Sequence, residues 1–241
     1  MIRTLLTFFL GLACAACAAC AGEDSAPRAL PGERASDVAA SQLSRADATP
    51  EIPVDAPLVA FLGDSIAAGL HLSADEAFPA VLQRELAGEG LPFRLINAGV
   101  SGDTTAGGLR RIDWLLSREP ALVVIELGGN DGLRGQDVAE VEKNLRGIVR
   151  KAQDSGAKLL LLGVRLPPNL GADYVRRFEQ IYENIAVDGD LPLVRAFMSG
   201  VGGVPEMNLE DGLHPTTEGH RRIARNVLPV LREILNELAA R

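Results

Sequence analysis

The 241-residue sequence predicts an α/β fold, a three-layer α/β/α sandwich around a five-stranded parallel sheet. Three observations carry that expectation. Short, continuously apolar runs recur along the chain, as strands covered on both faces do, in place of the alternation of a half-exposed sheet. Longer amphipathic stretches lie between them, which parallel strand connections require. Glycine-containing loops with polar side chains follow the first three runs, where open α/β sheets bind ligands, and right-handed crossovers would cover both faces with helices.

In chain order, Leu58–Leu62 (LVAFL) reads as strand one, ended by Gly63. Ala74–Ala87 is expected to be helical, and Phe93–Asn97 (FRLIN) is strand two. Strands three, four and five are expected at Leu122–Leu127, Lys158–Val164 and Leu193–Ala196. Between strands three and four, Val138, Val141, Leu145, Ile148, Val149 and Ala152 recur at the spacing of one helical face. A last helix repeats that pattern with Ile223, Val227, Leu231, Ile234 and Leu238, and Pro229 is expected to kink or split it.

The chain's start has a different composition. One basic residue, Arg3, precedes an apolar stretch and a run of Ala and Cys, the layout of a secretory signal over residues 1–20. Its apolar core is too short to span a bilayer. All three cysteines, Cys14, Cys17 and Cys20, fall there. Cleavage at Cys20 or later leaves at most one cysteine and no internal disulfide. Ordinary cleavage fits Ala19-Cys20-Ala21; a lipidated Cys17 or Cys20 is the alternative, although Leu is missing three residues before each. The expectation is export, either soluble in the periplasm or tethered as an outer-membrane lipoprotein. Residues 21–56, rich in Ala, Ser, Asp, Pro and Arg, read as a flexible linker, and 57–241 as the folded domain.

Twenty-four basic against 32 acidic residues leave a net charge of −8, which disfavours nucleic acid as a partner. A monomer is the default expectation, and no cofactor or metal is implied.

The chemistry-bearing residues stand after the strands. Ser65 is a candidate nucleophile, and a serine needs an adjacent base. Among the three histidines, His71 reads as a surface residue on a helix beginning near Ser65, and His220 as a solvated helix position. His214 remains, held in a turn by Pro215 with Asp211 three residues earlier. That spacing lets one carboxylate orient the imidazole as in a Ser-His-Asp triad; taken alone, it suits an ordinary capped turn better. The Ser65 N–H, the Gly102 N–H and the Asn130 amide are suitable donors for an oxyanion, while each glycine also fits a plain turn and Asn130 a helix cap.

GDSIAAGL, NAGVSGDTTAGGL, LGGND and DGLHP together resemble the four sequence blocks of the SGNH (GDSL-type) hydrolases, over Leu58 to about Leu228. RLPPNLG resembles their bacterial arylesterase, thioesterase and lysophospholipase branch. The resemblance implies a flavodoxin-like SGNH fold and a serine esterase acting on carboxylic esters, thioesters or lysophospholipids. It implies Ser65 as nucleophile, His214 as base, Asp211 as its orienting partner, and Ser65, Gly102 and Asn130 as the oxyanion hole. Leu166, Pro167 and Pro168 would line the acyl side. Two other classes compete. A metal-dependent phosphoesterase would use Asp64, Asp103, Asp131, Asp211 and His214 as ligands, and EDTA sensitivity would reveal it. A non-catalytic envelope binding protein on the same fold would fail to label with a fluorophosphonate.

Overall fold

A computed structural model describes residues 51–240, all within the unit Thr49–Arg241. The expected leader, and the linker as far as residue 50, lie outside the described residues. Pro53–Ala56 closes a turn through the Ala56 N–H on the Pro53 carbonyl at 3.1 Å, and Ala56 is already buried.

Five strands follow: β1 (Leu58–Gly63), β2 (Arg94–Gly99), β3 (Leu122–Glu126), β4 (Lys158–Leu162) and β5 (Leu193–Val194). All pair in parallel, in the order β2-β1-β3-β4-β5. Val59–Leu62 and Leu122–Ile125 are fully excluded from solvent, because β1 and β3 are flanked by strands and covered on both faces.

The helices are α1 (Ser65–Ala68), α2 (Phe78–Gly88), α3 (Thr105–Leu116), α4 (Gly129–Leu133), α5 (Val138–Asp154), α6 (Ala172–Gly189) and α7 (Thr217–Ala239). The chain steps one way from β1 to β2, then crosses back to β3 and onward. Right-handed crossovers therefore place α2 on one face and α3, α5 and α6 on the other. The packing agrees: α2 meets α7, α3 meets α5, and α5 meets α6.

Several boundaries differ from the expectation. The helix expected from Ala74 begins at Phe78, because Pro79 suits a helix's first turn and Glu76 is held in the preceding turn. There its carboxylate accepts from the Ser73 N–H at 3.1 Å and the Ser73 hydroxyl at 2.5 Å. β2 runs on through Gly99, and β3, β4 and β5 stop short of Leu127, Val164 and Ala196. Pro229 does not split α7, which is continuous. Both Pro229 and Arg225, whose carbonyl loses its usual partner, are exposed, so water can satisfy the freed oxygen.

Candidate active site

The strand order reverses at β1, so a crevice opens beyond the carboxyl ends of β1 and β3. Ser65 lies just past β1 as the first residue of α1. Asp64 caps that short helix, accepting the Ile66 N–H at 2.9 Å, and this presents the Ser65 hydroxyl outward.

His214 arrives from the other end of the chain. Its loop is closed by an isolated bridge between Asn208 and Pro215 and by the Leu209 N–H on the His214 carbonyl at 2.7 Å. The Asn208 amide anchors the loop's base by donating to the carbonyls of Val201 and Val204 at 2.6 and 2.7 Å. Within the loop, Asp211 Oδ1 accepts the N–H groups of Leu213 and His214 at 2.9 and 3.0 Å. Its Oδ2 lies 2.5 Å from His214 Nδ1, and His214 Nε2 lies 2.9 Å from Ser65 Oγ. A carboxylate only accepts, so Nδ1 carries the proton and Nε2 faces the serine as acceptor. The His214 backbone N–H, the imidazole and the Leu213 N–H, in that order, hold the Asp211 carboxyl well below the usual carboxylate range.

Gly102 and Asn130 reach the same edge from β2 and β3. Val100–Asp103 is a β-turn closed by the Asp103 N–H on the Val100 carbonyl at 3.0 Å, with Gly102 at φ +79°. That left-handed value is the one a type II turn asks of its third residue. Gly128 sits at φ +121°, and a Cβ there would lie 2.1 Å from the Tyr182 hydroxyl. Tyr182 itself is buried and donates to the Leu127 carbonyl at 2.9 Å, so it props the turn that starts α4 and delivers Asn130.

Beneath these groups lies a buried acidic pair. Asn130 Nδ2 donates to Asp64 Oδ2 at 3.1 Å, which aligns the amide from below. Glu126, at the end of β3, accepts the N–H groups of Asp64 and Ala67 at 3.1 and 3.2 Å, gripping the turn on both sides of Ser65. Desolvation pushes the Asp64 carboxyl up to about 6, against the hydrogen bonds from Ile66 and Asn130. Desolvation, then the neighbouring Asp64 charge, pushes Glu126 well above its ordinary range.

The raised Asp64 pKa has a consequence for stability. Between its unfolded value of 3.8 and about 6, the folded chain keeps a proton on Asp64 that the unfolded chain has released. Stability contributed by this group is therefore complete below pH 3.8 and is lost as pH rises through about 6. Glu126 acts in the same direction, so the comparison is wild type against Asp64→Asn. Urea denaturation across that window should show the wild type losing stability relative to the variant as pH rises; parallel curves would refute the assignment.

Two further acids are engaged in holding the site's scaffold. Asp103 Oδ2 accepts Arg111 Nε at 2.7 Å, and the same guanidinium donates to the Ala98 and Gly63 carbonyls at 2.6 and 2.9 Å. Arg111 thereby ties the carboxyl ends of β1 and β2 to the Gly102 turn. Asp131, on α4, accepts the N–H and hydroxyl of Thr105 at 2.9 and 2.7 Å, locking α4 to the start of α3.

The other expected positions divide. Leu166 is buried against Gly132, where an added Cβ would come within 2.3 Å of Leu166 Cδ2, so it underpins α4. Pro167 and Pro168 are exposed, and Pro168 opens a short 3-10 turn ending at Leu170. His71 is exposed but not helical. It lies beyond α1 at φ +71°, its ring edge-to-face with His214 at 6.0 Å between centroids.

His220 is a correction, being 1% exposed where solvation was expected. Its Nδ1 accepts the Phe78 N–H at 3.1 Å, capping α2, and burial pushes its pKa down to about 4. The signal was present: His220 precedes Ile223 and Val227 at three- and four-residue steps on the apolar stripe of α7. Glu126, an acid inside the apolar run LVVIEL, is an equally visible signal. Arg111 and Tyr182 carry no sequence signal of their role.

A serine hydroxyl linked through an imidazole to a carboxylate, at the carboxyl edge of this sheet, defines a hydrolase of the three-layer α/β/α class. Residues 61–222 match the GDSL-like Lipase/Acylhydrolase family. The chain is 49% identical over 175 residues to Esterase TesA of Pseudomonas aeruginosa, covering 72% of this chain and 87% of that protein. It is 38% identical over 176 residues to Thioesterase 1/protease 1/lysophospholipase L1 of Escherichia coli K12, covering 73% and 83%. Among solved structures, that of TesA superposes with a TM-score of 0.71 at 47% identity, over 74% of this chain and 99% of the other. The chain belongs to the GDSL-like lipase/acylhydrolase family and is a hydrolase of ester bonds.

Proposed function

We propose that this protein cleaves carboxylic esters and thioesters through an acyl-enzyme on Ser65. The observation that carries the reading is the continuous relay from Ser65 Oγ through His214 to Asp211. His214 Nε2 takes the hydroxyl proton as Ser65 attacks the carbonyl carbon, and Asp211 stabilises the imidazolium that forms. The Ser65 and Gly102 N–H groups and the Asn130 amide bind the oxyanion of the tetrahedral intermediate. His214 then protonates the departing alcohol or thiol. Water, deprotonated by the same imidazole, releases the acid and restores Ser65. Pro167 and Pro168 form the acyl side of the crevice, with Leu166 behind them as the support of α4. An exported location, argued from the leader, makes esters and lysophospholipids the accessible substrates in place of acyl-CoA.

A series of p-nitrophenyl esters from C2 to C16 tests the reading and sizes the crevice by its optimum. Inactivity across the whole series, with no labelling by a fluorophosphonate, would overturn it. In the same assay Asn130→Ala should lower kcat by roughly 10²–10³ with the fold intact. Wild-type turnover in that variant would remove Asn130 from the oxyanion hole.

A further inference from the structure

Arg134 is a residue for which the relay has no use, yet it reaches two of the three elements that carry oxyanion donors, those of Gly102 and Asn130. It ends α4 one turn beyond Asn130, with its N–H on the Asn130 carbonyl at 3.2 Å, so the two side chains share a helix face. Its Nη2 donates to the Gly102 carbonyl at 3.2 Å, and Asn130 Oδ1 lies 3.5 Å from the same nitrogen, a longer and weaker contact. The approach to Gly102 is close enough that an added Cβ there would sit 3.8 Å from Nη2. Arg111 pairs with Asp103 at 2.7 Å, whereas none of the ion pairs among the described residues includes Arg134. Both of its side-chain contacts, made by Nη2, go to the site.

From this geometry we infer that Arg134 is a positioning residue of the oxyanion hole, a latch that fixes the Gly102 turn against the Asn130 amide. The inference rests on the assignment of Gly102 and Asn130 to that hole. The physical logic concerns two hinges. Gly102 lacks a side chain to restrict it, and the turn it occupies is tied to the sheet through Val100 and Asp103 on either side, leaving its own carbonyl to be held from α4. Asn130 is aligned from beneath by Asp64 on Nδ2, and an arginine near Oδ1 opposes a flip of the amide that would turn an acceptor toward the oxyanion. Both contacts leave from the one nitrogen Nη2, and the charge of the guanidinium strengthens the bond to the Gly102 carbonyl.

Kinetics of Arg134→Met, Arg134→Lys, Asn130→Ala and the Arg134→Met/Asn130→Ala double variant on p-nitrophenyl acetate test the latch, with thermal melts alongside. Arg134→Met should lower kcat about tenfold with KM little changed, the scale of losing one charge-assisted hydrogen bond, and Arg134→Lys should recover part of the loss. In the Asn130→Ala background the same change should cost less than in the wild type, because the donor it helps hold is gone. Equal losses in both backgrounds, a rise in KM alone, or wild-type kcat in Arg134→Met beside an impaired Asn130→Ala would each overturn the latch. A fully active Asn130→Ala would instead overturn the oxyanion assignment itself, so the two failures are distinguishable.

Discussion

Ser65→Ala is expected to lower kcat on p-nitrophenyl esters by on the order of 10⁶, with melting temperature close to that of the wild type. The size follows from the relay's connectivity. Ser65 Oγ touches His214 Nε2 at 2.9 Å, and without the oxygen neither imidazole nor carboxylate has a proton to move. The structural cost is small because α1 is held by Asp64 and Glu126, through the N–H groups of Asp64, Ile66 and Ala67, and none of those bonds uses the serine hydroxyl. His214→Ala should lose about as much, and the double variant little more, since residues acting as one unit are not additive. Retention of about one-hundredth of wild-type turnover in Ser65→Ala would remove it as the nucleophile. A fluorophosphonate gives the complementary readout: labelling of the wild type and none of the variant.

The sheet was legible because its signal is collective. Each of LVAFL, LVVIEL and KLLLL is a run that only burial on both faces explains, and an error of one or two residues at an end leaves the topology intact. The site loops were legible for another reason: their local features, each compatible with a plain turn or cap when taken alone, together resemble the four blocks of the SGNH hydrolases. Long-range pairing was not legible. Nothing in the sequence says that the Glu126 carboxylate grips the backbone of Asp64 and Ala67, or that Arg111 gathers the ends of β1 and β2. Those contacts exist only after the strands are side by side. His220 is a different case: its place on the apolar stripe, three residues before Ile223, is readable, whereas the Phe78 N–H that gives the buried imidazole its partner comes from a distant helix.

The buried acids beneath the site extend the same lesson to energetics. Placing Asp64 and Glu126 at the carboxyl ends of β1 and β3 removes two carboxyls from water, and their raised pKa values express that cost. In return, the turn bearing Ser65 and the amide of Asn130 are fixed by one connected set of hydrogen bonds before any substrate binds. A preorganised oxyanion site needs little reorganisation during the reaction, which is where such a site gains its rate.

Asp211→Asn is the second substitution with a large expected effect, and it separates chemistry from architecture. The variant's side-chain oxygen can still accept the N–H groups of Leu213 and His214, as Oδ1 does at 2.9 and 3.0 Å, so the loop keeps its shape. The other half of the side chain changes sign. Where Oδ2 accepted from His214 Nδ1, an amide NH₂ can only donate, and the imidazole answers by moving its proton to Nε2. An Nε2–H facing Ser65 cannot take the serine proton, and kcat should fall by about 10⁴ with KM and melting temperature nearly unchanged. Asp211→Ala should match that loss in kcat but also lower the melting temperature, because it strips the loop of its internal acceptor. Because those hydrogen bonds keep Asp211 ionised far below neutral pH, its own titration cannot account for an acid limb of the wild-type profile. Turnover in Asp211→Asn within about tenfold of the wild type would mean that the loop, and not the carboxylate's charge, is what the relay requires.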